Sequence, residues 1–151
     1  MLATLPPRTI GIGYRLAQLG AAAAALGGVV DALVPRLLPH HEEFMGVTAG
    51  QAPPATAALV LLLLHTLGVA LFATGLGALA LLSAWRGGGS RMTAVSAAVV
   101  VVMAEGMNAW AIARVGSPRF LGPIVCVILL IVGVASEVRN EEGTNDAGVT
   151  A

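Results

Sequence analysis

Charge is scarce in this chain. Acidic and basic residues make up 11% of its 151 positions, where a soluble domain carries about 25%, so an ordinary water-soluble globule is a poor fit. Lysine is missing altogether. All eight basic residues are scattered arginines, and eight acids balance them to a formal net charge of zero, which gives no support for a nucleic-acid partner. One cysteine, Cys126, excludes an intrachain disulfide. It lies in an apolar run and reads as a packing residue rather than a nucleophile. Aromatics reach only 4%, so close helix contacts must come from the plentiful Ala and Gly. Gly11 and Gly13 do not extend to a dinucleotide-binding fingerprint, because position 16 is Leu. No phosphate loop is visible and no cofactor is expected.

In place of charge the chain has four long apolar runs, at about 10–34, 55–84, 92–113 and 120–138. Each is long enough to cross a hydrocarbon core of about 30 Å. They predict an all-α integral membrane four-helix bundle, up-down-up-down, filling a single domain over 1–138. Residues 139–151 read as a disordered polar tail. A rival reading takes Arg8 and Arg15 as the charged region of a signal peptide and 16–30 as its apolar region. Gly20, Ala24 and Gly28 are spaced by four, and Gly68 and Gly75 by seven, so each set marks a face for close backbone approach. The second run, about 45 Å long as a helix, exceeds the hydrocarbon thickness and must tilt or project. Trp85 and Arg86 close it as an interfacial anchor, and Gly87-Gly88-Gly89-Ser90 reads as a tight turn.

The longest connection, 35–54, holds the most polar cluster, His40-His41-Glu42-Glu43. Adjacent residues do not share a helix face, and the cluster is not the H-E-x-x-H pattern of zinc sites. It reads as a solvated loop, with a lid over a cavity or a metal or haem ligand set as alternatives; no metal site is assigned.

Polar groups inside the runs carry the functional argument. An acid at the centre of a membrane helix is unfavourable by roughly 2.5–3.5 kcal/mol. Glu105 follows six residues without a polar group, and Asn108 shares its face, which Ile112 continues while Trp110 points elsewhere. Measured from the cytoplasmic arginines or Trp85, Asp31 lies at a depth of about 24 Å, Glu105 about 21 Å, Asn108 about 25 Å and His65 about 30 Å. Three helices therefore bring ionisable groups to the outer half of a bilayer. The expected site is an outward-opening polar pocket of Asp31, His65, Glu105 and Asn108, with the fourth helix as an apolar wall. Glu105, His65 and Asp31 are the candidate catalytic groups; Asn108, Glu105 and His65 are the candidate ligand-binding groups. The alternative is a protonated Glu105 hydrogen-bonded between helices as packing glue.

Orientation follows from arginine placement. Arg8, Arg15, Arg86, Arg91 and Arg139 fall on the side of the termini, and Arg36, Arg114 and Arg119 on the other. The bias puts both termini in the cytoplasm of a multi-pass cell-membrane protein. Arg114 and Arg119 then lie beside Glu42 and Glu43 as pairing partners.

In length, four-span plan, proline-bearing first loop and the stretch from His65-Thr66-Leu67-Gly68 to Gly75-Leu76-Gly77, the chain resembles the small four-helix DoxX-like membrane proteins of bacteria. That resemblance implies a fold more than a function. Glu105, Asn108 and Trp110 are also similar in type to the acids, Asn and Trp around the lipophilic ligand of the emopamil-binding sterol isomerase group, though their spacing carries no assignment. Three functions follow. The first is binding of a lipophilic small molecule, or docking on a membrane partner or a second copy through Gly/Ala seams. The second is an enzyme using acid–base chemistry on a lipid, isoprenoid or quinone-like substrate, with Glu105 as acid and His65 or Asp31 as base. The third is a proton-coupled carrier, for which four helices are few and no internal repeat is visible.

Overall fold

The computed structural model describes residues 11–48, 50–114 and 116–149, apart from the side chains of His40, Phe44 and residues 141–149. Pro6, Pro7 and Arg8 lie outside the described residues, and so does the end of the polar tail at 150–151. The described chain is helical, without strands. Its elements are α1 (Ile12–Leu33), α2 (Pro39–Phe44), α3 (Pro54–Arg86), α4 (Arg91–Arg114), a 3-10 turn (Pro118–Phe120) and α5 (Leu121–Val149). Among the described residues four segments are long and apolar enough to cross a membrane: Ile12–Leu33, Pro54–Arg86, Arg91–Arg114 and Pro118–Asn140.

Local chemistry sets the boundaries. Pro54 opens α3 at the position where a missing N–H does no harm. Gly88, with φ of 101°, turns the chain after α3, and Gly89 N–H donates to the Ala84 carbonyl. The short helix α2 is an element that hydropathy alone does not reveal. The backbone of α5 stays helical to Val149, past position 138, where the sequence reading ended the span and began a disordered tail. No proline interrupts 124–149, so the helical ladder continues after the apolar residues stop.

The helices make a four-sided arrangement. α1 packs on α3 and α5, α4 packs on the same two, and α1 and α4 barely touch across the diagonal. Small residues allow the close approaches. Ala17, Ala21 and Ala24 are buried on α1. A Cβ placed on Gly75 would lie 2.7 Å from the Ala21 carbonyl, and one on Gly28 would lie 2.6 Å from the Gly68 carbonyl. Gly68 and Gly75 thus share one partner, as their spacing predicts. The Gly20 to Gly28 face instead divides: Gly20 abuts the Cys126 carbonyl of α5, while Gly28 meets α3. One apolar cluster holds Tyr14, Leu82, Trp85, Ala94, Val101, Leu130 and Val134. Trp85 is therefore not an outward-facing anchor. It is 2% exposed, its ring 6.4 Å from that of Tyr14, and Arg86 stands over the other aromatic at 5.8 Å.

Both ends of α1 are capped by other helices. Gly11 at its start supplies no side-chain cap. Glu137 of α5 takes that role, its Oε1 accepting from Tyr14 N–H at 3.1 Å, a favourable place for a carboxylate beside a helix N-terminus. At the other end His65 of α3 reaches the Val34 carbonyl, with Nε2 to oxygen at 2.7 Å. A carbonyl only accepts, so Nε2 carries the proton.

Candidate functional site

The interior is tightly filled around Tyr14 and Trp85 and opens toward the opposite end. There the last turns of α1 and α4, the first turns of α3 and α5, and α2 surround a cavity of about 1000 Å³. Its walls are mostly aliphatic, from Val60, Leu64 and Leu71 of α3, Ile112 of α4 and Val125 of α5. Into this chamber five polar side chains are placed: Asp31, His41, Glu105, Asn108 and Arg119.

Helix periodicity places Glu105 and Asn108 together. They are three residues apart on α4, and the Asn108 amide donates to Glu105 Oε2 at 3.4 Å. Glu105 is 4% exposed, so this neutral donor is part of how its carboxyl is accommodated away from water. Asp31, near the end of α1, joins them across the diagonal where α1 and α4 scarcely touch, and the cavity occupies that gap. Trp110 points outward at 56% exposure, with the Arg114 guanidinium 5.3 Å over its ring. The acid, amide and indole therefore do not converge.

Three of the four residues expected from sequence line the chamber. His65 does not: it is engaged with the Val34 carbonyl at the rim of α1. A proton held at Nε2 by a carbonyl acceptor is a capping arrangement, and it removes that nitrogen as a base.

His41 and Arg119 are the groups that sequence reading missed. His41 comes from the cluster read as a solvated loop, with a lid over a cavity as an alternative, and was not placed among the site residues. It opens α2, where its Nδ1 accepts from Leu38 N–H at 3.1 Å, so the neutral ring carries its proton on Nε2. Burial pushes the His41 pKa below its ordinary value; the charge of Asp31 opposes this and that of Arg119 adds to it. Arg119 precedes α5, so the fourth span brings a cation as well as an apolar wall. The expected pairing of arginines with Glu42 is replaced by a turn: Glu42, buried, accepts from Gly50 N–H at 2.7 Å. That bond ties the following loop back onto α2. Arg119 was legible as a cation one residue before an apolar run, at the same end as Asp31 and Glu105. For His41 no spacing signal exists.

Among the described residues no group of three or more His, Cys, Asp or Glu is arranged to hold a metal ion. Chemically the chamber offers carboxyl oxygens, the donor-only guanidinium of Arg119, the Asn108 amide that both donates and accepts, and an extended aliphatic wall. It suits an amphiphilic organic molecule better than a bare ion. Compared with known proteins, no family model, no curated protein and no solved structure matches this chain.

Proposed function

We propose that the chain is an integral membrane protein that crosses a bilayer four times, up-down-up-down, and binds a lipophilic small molecule in the chamber above. The observation that carries this reading is the cavity of about 1000 Å³ with aliphatic walls and Asp31, His41, Glu105, Asn108 and Arg119 within it. Its size stands at the top of the range of about 300–1000 Å³ for small-molecule sites. Four apolar helices support membrane insertion, and the arginine distribution supports cytoplasmic termini in the cell membrane, with the chamber in the outer half. The four-span plan and the glycine-bearing α3 support a place beside the DoxX-like proteins at the level of fold. Docking on a partner through the Gly/Ala seams has less support, since Gly20, Gly28, Gly68 and Gly75 are engaged inside the chain itself.

A second reading, acid–base chemistry on the bound molecule, draws on Asp31, His41 and Glu105 facing one chamber. Mass spectrometry of protein purified in mild detergent tests binding. A specific lipophilic compound is expected with the wild type and is depleted from folded Glu105→Gln. Absence of any specific compound from both samples refutes the binding reading. Turnover of the identified compound, abolished by Glu105→Gln, separates the enzyme from the binder.

A further inference from the structure

The faces of α1 and α5 that meet at one end of the bundle part company at the other. Gly13 and Gly133 abut, a Cβ on either lying 2.6 or 2.5 Å from the other's carbonyl, and Gly20 abuts the Cys126 carbonyl at 2.7 Å. Seven residues further along α1, on the same face, Gly27 has nothing within 4 Å of a Cβ. Four residues back along α5 from Cys126, the same is true of Gly122. Both glycines line the cavity. The neighbouring α1–α3 seam does not open at this level, since a Cβ on Gly68 would lie 2.8 Å from Ala32 Cα. At this level the bundle opens between α1 and α5 and stays closed between α1 and α3. Its lips are apolar and outward: Val30 is 67% exposed, and Leu121 and Val125 are exposed as well while lining the chamber.

Resting on the binding reading above, we infer that this gap is a lateral portal, and that the ligand is an acyl-chain amphiphile drawn from the surrounding leaflet. Its head sits among the polar groups and its chain leaves between α1 and α5. A molecule arriving from water has no use for exposed aliphatic lips continuous with the outer faces of the bundle, whereas a chain in the bilayer loses nothing on crossing them. The polar pole defines the head. Asp31 and Glu105 offer acceptor oxygens, and Arg119 and Asn108 offer donors, so the head must both donate and accept hydrogen bonds. The glycines leave the gap wide at the point where a chain passes.

The same two positions supply the test. A side chain at Gly27 or Gly122 begins in open space, with nothing within 4 Å of its Cβ, and leucine favours the helix over glycine, so Gly27→Leu/Gly122→Leu is expected to fold with the portal obstructed. Gly77→Leu, also in open space but away from the cavity, is the control. The full chain is reconstituted in phosphatidylcholine vesicles containing phosphatidylethanolamine, whose head both donates and accepts, with a diazirine in the half of one acyl chain nearer the head, photolysed, and mapped by peptide mass spectrometry. Wild type and Gly77→Leu are expected to be labelled at the cavity-lining Leu71 and Cys126 and at the outward-facing Met103. The double variant keeps the Met103 label, which certifies membrane contact, and loses the interior labels. Interior labelling unchanged in the double variant overturns the portal but leaves the binding chamber standing. Absence of interior label from every protein, with Met103 labelled, overturns the acyl-chain ligand and its portal, while the binding chamber stands or falls by the co-purification test above.

Discussion

Adding one methyl group at Gly28 should separate two helices, while the same change at Gly77 should not. A Cβ on Gly28 falls against the Phe72 backbone nitrogen and 2.6 Å from the Gly68 carbonyl oxygen, and ordinary contact begins at 3.4 Å, so the α1 and α3 backbones must part by more than about 0.8 Å in an interior packed to crystal density. The atoms opposing the methyl are backbone, which no rotamer change can clear. Overpacking of this kind is destabilising by about 1–3 kcal/mol. Within a bilayer, helix association depends on such contacts rather than on expulsion of water, so the lost contact is not made up by lipid. Gly77 has nothing within 4 Å of its Cβ. Both variants receive the same increment of helix propensity, about 0.8–1.0 kcal/mol, so their difference reads the overlap alone. Denaturant titration of each variant in mixed micelles, followed by circular dichroism and by the fluorescence of buried Trp85, gives the two midpoints. Gly28→Ala should unfold at lower denaturant than Gly77→Ala by an amount equivalent to about 1–3 kcal/mol. Equal midpoints would refute the argument that backbone contact at this seam holds α1 on α3.

His65→Phe removes the donor to the Val34 carbonyl and should lower stability by about 0.5–1.5 kcal/mol, with recovery in His65→Gln and unchanged ligand retention by mass spectrometry. Glu137→Ala should lower the unfolding midpoint by an amount equivalent to about 1 kcal/mol, while Glu137→Gln, whose amide oxygen still accepts from Tyr14 N–H, keeps most of it. For His41, burial holds the folded pKa below the unfolded one. The unfolded chain therefore binds more protons between the two values, and stability rises with pH there. The His41 contribution should be complete above pH of about 6.5 and should fall as pH drops through the folded pKa. Unfolding midpoints measured against pH should lose that acid-side slope in His41→Gln.

The four helices were legible because each apolar run is long, holds no more than two charged residues, and is bounded by Pro54, the Gly87–Gly89 turn or Pro118. Glu105, Asn108 and Ile112 were placed on the cavity face by periodicity alone, since three- and four-residue steps along one helix fix a face whatever it meets. Depth, by contrast, does not fix direction. His65 lies near the level of Asp31 yet spends its proton on the α1 terminus, and no sequence pattern records which neighbour a lone histidine faces. Trp85 follows the habit of residues at a span end but is drawn inward by Tyr14. His41 entered the chamber only because α2 folds back over it, held by Pro39 at its start and by the Glu42 bond to Gly50 at its end. That is a tertiary outcome of a loop with no periodicity to read.

The borrowed caps of α1 bear on the order in which the molecule is made. A ribosome delivers α1 before α3, and α3 before α5. The carbonyl at the end of α1 finds His65 only 31 residues later, soon after the next long helix begins to appear. The amide at its beginning waits 123 residues for Glu137. The pair α1 and α3 is thus a nascent unit with one terminus finished and one unfinished until α5 closes the ring. A chain released before Glu137 keeps its apolar segments but leaves the first helix open at its start.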